Sequence, residues 1–107
     1  MIQVQVTTGD KQEALKIANH LVSEKLVACA QVVGPIVSTY RWQGKVEVAD
    51  EWLVLIKTRT ELFTEVEAAV RKMHSYENPE IIATPIDRTT PDYLSWVYQE
   101  TKTEPEP

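Results

Sequence analysis

Two long strand-forming runs flank Gln43-Gly44, and they constrain the fold more than any other feature of this sequence. Val27 to Trp42 and Lys45 to Thr58 are rich in β-branched and aromatic residues, with Gln43-Gly44 as the turn between them. At about 3.3 Å per residue, a strand of roughly fourteen residues spans about 46 Å, too long to lie flat in one small domain. The hairpin must bend strongly or carry its tip onto something else. Gly34-Pro35 is placed to bend or bulge it, because proline donates no ladder hydrogen bond. The returning strand adds a second constraint. Trp52-Leu53-Val54-Leu55-Ile56 is apolar at every position, so both of its faces are expected to be buried. Helices in a small α+β domain cover one face of an antiparallel sheet, and the other face then needs a partner, most simply another copy of the chain.

The rest of the chain supplies the helices. Ile2, Val4 and Val6 alternate with polar residues as in a strand with one buried face, and Gly9 ends it. Asp10 and Glu13 have capping-box spacing ahead of a helix predicted over about 11–26, with Ala14, Ile17, Ala18, Leu21 and Val22 on one stripe. Thr60 is placed to cap a second helix carrying Leu62, Phe63, Val66, Ala69, Val70 and Met73 and ending near His74. A strand from Glu80 to Ile86 follows, then a short helix opened by Thr90-Pro91. The order β-α-β-β-α-β is the ferredoxin-like arrangement, here with a long β2–β3 hairpin and an additional C-terminal helix. Residues 1–100 form one domain, and 101–107, TKTEPEP, are expected to be a disordered tail.

Charge and cysteine content exclude several roles. A formal charge of −5 argues against nucleic acid as partner and favours cations. One cysteine, Cys29, leaves no internal disulfide and no CxxC zinc site. The N-terminus lacks the basic and apolar regions of a signal peptide, and no apolar run approaches the roughly 20 residues of a membrane helix. The expected location is therefore cytoplasmic, with no membrane partner. No glycine-rich phosphate loop, HExxH or GxSxG motif occurs, so the chain is not expected to be an enzyme.

Chemistry concentrates in MHSYENPE, residues 73–80. His74 either stabilises the end of the second helix or acts as a ligand, and Glu77 and Glu80 stand beside it. A histidine with two carboxylates holds divalent ions with weak selectivity. Cys29 lies among small apolar residues, where a thiol is more often a core side chain than a nucleophile.

The segments SEKLVACAQVVGPIVSTYRWQGKVE, LVLIKTR, MHSYENPEIIATPI and DYLSWV, in that order, resemble the CutA family of divalent-cation tolerance proteins over about residues 2–98. The resemblance implies a ferredoxin-like subunit in a tight homotrimer akin to the PII signalling proteins, with a role in copper-type divalent-cation tolerance and no established catalysis. It implies no firm cofactor beyond a weakly bound copper or zinc ion, with His74, Glu77, Glu80 and Cys29 as the metal residues. Members implicated in copper binding carry a cysteine at the end of the first strand and a second histidine before the one matching His74. Val6-Thr7 and Met73 stand at those places here. Two other roles remain open: a PII-like sensor taking a small anionic ligand in a cleft formed by Tyr40, Arg41, Trp42, Lys57 and Tyr76, or a trimeric scaffold for partner proteins.

Overall fold

The computed structural model describes residues 1–103. Its elements are β1 (Ile2–Thr8), α1 (Lys11–Ser23), β2 (Cys29–Trp42), β3 (Lys45–Thr58), a 3₁₀ turn (Thr60–Leu62), α2 (Phe63–Met73), β4 (Ile81–Pro85) and α3 (Pro91–Glu100). The strands form one sheet in the order β2-β3-β1-β4 with every neighbouring pair antiparallel. This is the expected ferredoxin-like order with one added helix.

Both crossover helices pack on the same face. Ala14, Ile17 and Leu21 of α1 and Val66 and Val70 of α2 close over Val4, Val6, Val54 and Ile56, all of them fully buried. The alternate residues Leu53 and Leu55 of β3 are half-buried on the opposite face, where Val33 and Ile82 stand exposed. No helix of the described residues contributes to a core on that side.

Helix α1 ends three residues earlier than its apolar pattern suggests. Leu26 N–H reaches Leu21 C=O and Lys25 N–H reaches Val22 C=O, with Lys25 left-handed at φ 58°. These are the two bonds of a Schellman motif, and Leu21 and Leu26 both join the hydrophobic core. Because a lysine stands where glycine is usual, the sequence carries no stop signal there. Asp10 caps the helix as expected, its Oδ1 accepting the Glu13 N–H at 2.8 Å. Thr60 does not cap α2: it opens the 3₁₀ turn and its side chain makes no capping bond.

The hairpin turns at Gln43 and Gly44, whose φ values of 50° and 80° suit the two central positions of a twisted hairpin turn. Its bend falls at Gly34-Pro35. Val33 pairs with Leu53 but Ile36 with Glu51, so three steps on β2 match two on β3. The Trp52 indole lies directly on Gly34, where any Cβ would collide with it.

Helix α3 docks across the end of the sheet where β2 begins and β3 finishes. Arg59 holds it: Nη2 donates to the Tyr98 carbonyl at 2.6 Å, Nε to Thr101 Oγ1 at 2.8 Å, and the guanidinium lies 4.3 Å from the centre of the Tyr98 ring. Thr101 is buried and Lys102 N–H bonds the Lys25 carbonyl at 2.9 Å. The expected tail boundary at residue 101 is therefore corrected, because Thr101 and Lys102 are tied into the domain. Residues 104–107 of that expected tail lie outside the described residues.

Gly34→Ala should lower stability by about 1–3 kcal/mol, since the indole must move out of its packed position. Arg59→Ala should cost a similar amount, about 1–3 kcal/mol, from the loss of two charged hydrogen bonds. Urea unfolding of each variant checks both values.

Candidate functional site

The segment that follows α2 is held by a buried histidine. His74 terminates the helix with its N–H on Val70 C=O, and extended backbone there sends the chain away. Its side chain is completely buried. Nε2 lies 2.6 Å from the Thr7 carbonyl and Nδ1 accepts the Tyr76 N–H at 3.0 Å. The Tyr76 amide can only donate, so Nδ1 carries the lone pair and Nε2–H donates to Thr7. Both nitrogens are thereby occupied. Glu13 Oε2, which has no hydrogen-bond donor among the described residues, sits 3.4 Å from Nδ1. His74 thus stitches α2 and the following loop to β1.

This loop aims Tyr76 along β3. The Tyr76 phenol donates to Glu51 Oε2 at 2.9 Å, and Gly9 lets the ring pass, since a Cβ there would sit 2.9 Å from its oxygen. Partial burial, the hydrogen bond to Glu51 and that carboxylate's charge push the phenol up from 10.0 to about 12. On the other side of the loop, Gln5 Nε2 donates to Glu80 Oε2 at 2.9 Å. Between the loop, the uncovered sheet face and the bent hairpin lies an open cleft of about 1170 Å³. Ile36, Ser38, Tyr40 and Trp42 of β2 and Leu53 of β3 form one wall, and Tyr76, Asn78 and the carboxylates of Glu51, Glu77 and Glu80 complete it. The described lining contains no lysine or arginine.

The expected metal residues are not brought together. Cys29 pairs with Lys57, in line with Gln3 of β1, whereas His74 is bound at Thr7. Four residues along a strand is about 13 Å, and two strand spacings add to it. Cys29 Sγ instead lies 3.5 Å from the Tyr93 hydroxyl, and the His74 nitrogens have no free lone pair. Among the described residues no three of His, Cys, Asp and Glu are grouped to hold a metal ion. Of the expected metal set, only Glu77 and Glu80 line the cleft. The expected anion set is divided in the same way. Tyr40, Trp42 and Tyr76 line the cleft, Arg41 alternates onto the other hairpin face, and Lys57 is engaged by Gln31 at 3.0 Å.

Sequence reasoning missed Glu51, Gln5, Thr7 and Glu13. Glu51 is buried at 8% exposure beside an apolar run, a placement that signals a partnered carboxylate. Glu13 carries only its capping-box spacing, and Gln5 and Thr7 carry no signal in a single sequence, because their roles depend on which segment lies alongside.

A family model described as CutA1 divalent ion tolerance protein matches residues 2–100. The chain is 42% identical over 94 residues to the divalent-cation tolerance protein CutA of Archaeoglobus fulgidus, covering 88% of this chain and 91% of that one. It is 41% identical to the chloroplastic protein CutA of Arabidopsis thaliana over 94% of this chain, but spans only 56% of that relative. A solved Archaeoglobus fulgidus structure, described as the periplasmic divalent cation tolerance protein CutA, superposes with a TM-score of 0.92 at 39% identity, over 95% of this chain and all of that one. That periplasmic description overturns the cytoplasmic placement drawn from the N-terminal sequence. Among the described residues no helix is long and apolar enough to cross a membrane.

Raising the folded pKa of a phenol favours its neutral form, so the stability tied to Tyr76 is fully present below pH 10 and is lost as pH rises from 10 to about 12. Glu51→Gln should therefore lower the Tyr76 pKa, and Tyr76→Phe should remove one high-pH step from an absorbance titration at 295 nm. A titration unchanged by both variants contradicts the assigned bond.

Proposed function

The chain belongs to the CutA1 divalent ion tolerance family, and we propose that it serves cation tolerance as a homotrimer whose acidic clefts attract hydrated divalent cations without a resident metal. The observation that carries this reading is the cleft itself, where Glu51, Glu77 and Glu80 meet no basic side chain among the described residues. Such a field concentrates cations and repels anions. It counts against the sensor reading, whose Arg41 and Lys57 stand elsewhere. Because the carboxylates are not grouped as a ligand set, the ion keeps most of its water and is held by charge. Copper and zinc are the ions of choice for testing, and no catalytic step belongs to this role.

The trimer is supported by apolar surface that one chain leaves bare. Leu53, Leu55, Val33 and Ile82 lie on the uncovered sheet face, and Val37, Val46 and Val48 stand 71%, 64% and 63% exposed on the outer side of the hairpin. Soluble monomers rarely expose such contiguous patches. Burying side chains of this kind yields about 1.5–3 kcal/mol each, repeated at every symmetric contact.

Calorimetric titration with Cu²⁺ or Zn²⁺ tests the cation site. Glu77→Gln combined with Glu80→Gln should weaken binding at least about tenfold at low salt, with a smaller effect at high salt. His74→Ala, where folded, should leave affinity within about threefold, since its nitrogens are already engaged. Unchanged affinity in the double variant sinks the cation reading. Sedimentation equilibrium should give about three times the 12.2 kDa chain mass, and Leu55→Asp should break the assembly.

A further inference from the structure

Behind the cleft, inside the single chain, a completely buried histidine faces a buried carboxylate oxygen that no donor among the described residues satisfies. In its neutral form the His74 ring has one lone pair, on Nδ1. The Tyr76 N–H takes that lone pair at 3.0 Å, which leaves none for a metal ion. Glu13 Oε2 stands 3.4 Å from the same nitrogen, so two acceptors face each other with no hydrogen between them. One added proton satisfies both. Placed on Nδ1 it donates to Glu13 Oε2, and placed on Glu13 it donates to Nδ1. In either case it occupies the lone pair that the Tyr76 amide uses, and the amide must give it up. The bond from Nε2–H to the Thr7 carbonyl is untouched by this exchange. The ring therefore stays fixed to β1 while its other nitrogen changes partner, from the loop to α1.

We propose that His74 and Glu13 form a proton-operated latch: on acidification they share a proton taken from solvent, and the loop of residues 75–80 is released from His74. The Glu13 side chain is 15% exposed where that of His74 is fully enclosed, so the proton enters through the carboxylate. Tyr76 carries the release outward. Its amide and its phenol belong to one residue, and a backbone that turns away from His74 pulls on the 2.9 Å bond from the phenol to Glu51. The cleft wall thereby responds to a group that does not line it. The inference does not rest on the cation reading, because it concerns how the wall is anchored and not what the cleft holds.

The charges around the pair leave the exchange to Glu13. β1 has no ionisable side chain, and from α1 come Glu13 and the capping Asp10, whose carboxylate is engaged by the Glu13 N–H. From the loop comes the Tyr76 phenol, its ring centre 4.8 Å from that of His74, and from β3 comes Glu51, which that phenol holds. Glu77 and Glu80 line the cleft instead. Arg71 and Lys72 in the last turn of α2 are both exposed, and Arg71 is bound to Glu67 at 3.1 Å.

NMR of the isotope-labelled full chain in its native assembly tests the latch. His20 is the other histidine, and His20→Gln identifies its signals. Between about pH 8 and about pH 5 the His74 Nδ1 resonance should leave its lone-pair position, and the Tyr76 amide proton should shift with the same midpoint. Hydrogen exchange at that amide, corrected for its intrinsic pH dependence, should quicken at least about tenfold across the step. Glu13→Gln should need at least about tenfold more acid for both changes, because the carboxylate charge that draws the proton is gone. The response should survive in Glu51→Gln, which removes the other carboxylate able to act on Tyr76. His74→Gln should abolish it, and Glu13→Gln carries the test where that variant does not fold. An Nδ1 signal unmoved down to about pH 5, protonation that leaves the Tyr76 amide where it was, a Glu13→Gln profile equal to the wild type, or loss of the response in Glu51→Gln overturns the inference.

Discussion

Val4, Val6, Val54 and Ile56 lie on one face of adjacent strands β1 and β3, and α1 and α2 withdraw all four from water. The other features of the molecule depend on this one-sided burial. A sheet whose helices are both on one side has a second face, and β3 supplies that face with Leu53 and Leu55. The same face carries Gln5 and Thr7, so it is at once the apolar surface left uncovered in one chain and the floor of the cleft. The hairpin leaves the flat part of the sheet at the Val33–Ile36 bulge and forms one wall of that cleft.

The bulge works because three residues cooperate. Gly34 offers no side chain, Pro35 no amide hydrogen, and Trp52 opposite fills the space that Gly34 leaves. One extra residue on β2 resets the alternation, so that Ile36, Ser38, Tyr40 and Trp42 face the cleft. Without that reset Arg41 would do so, and a base would enter an acidic cleft.

The histidine shows how a metal-binding residue type can be used for construction. His74 combines a donor to β1 with an acceptor for the loop amide, a pairing that neither lysine nor a carboxylate provides. Its burial next to Glu13 places a charged group within 3.4 Å, yet the service it performs is to fix the path that brings Tyr76 to Glu51. Precision of the cleft wall therefore originates partly behind it, in His74, which is not one of the lining residues.

Much of this was legible in the chain. Alternation in β1, the apolar stripes of α1 and α2, the Asp10 cap and the Gly34-Pro35 interruption are local signals, and each determined its element because periodicity and backbone chemistry act over a few residues. The one-sided sheet followed from counting faces. What the sequence left open were relations between distant residues. Cys29, His74, Glu77 and Glu80 all have ligand chemistry, but only the register of β2 on β3 and β3 on β1 decided that Cys29 stands far from His74. Tyr40 and Arg41 are equal candidates in sequence, and the parity set by a single bulge residue sent one into the cleft and the other away. Glu51 acquired its role from a tyrosine twenty-five residues later. Local order was written in residue type and spacing; the composition of the site was decided by strand pairing, because one step of register moves a side chain to the opposite face.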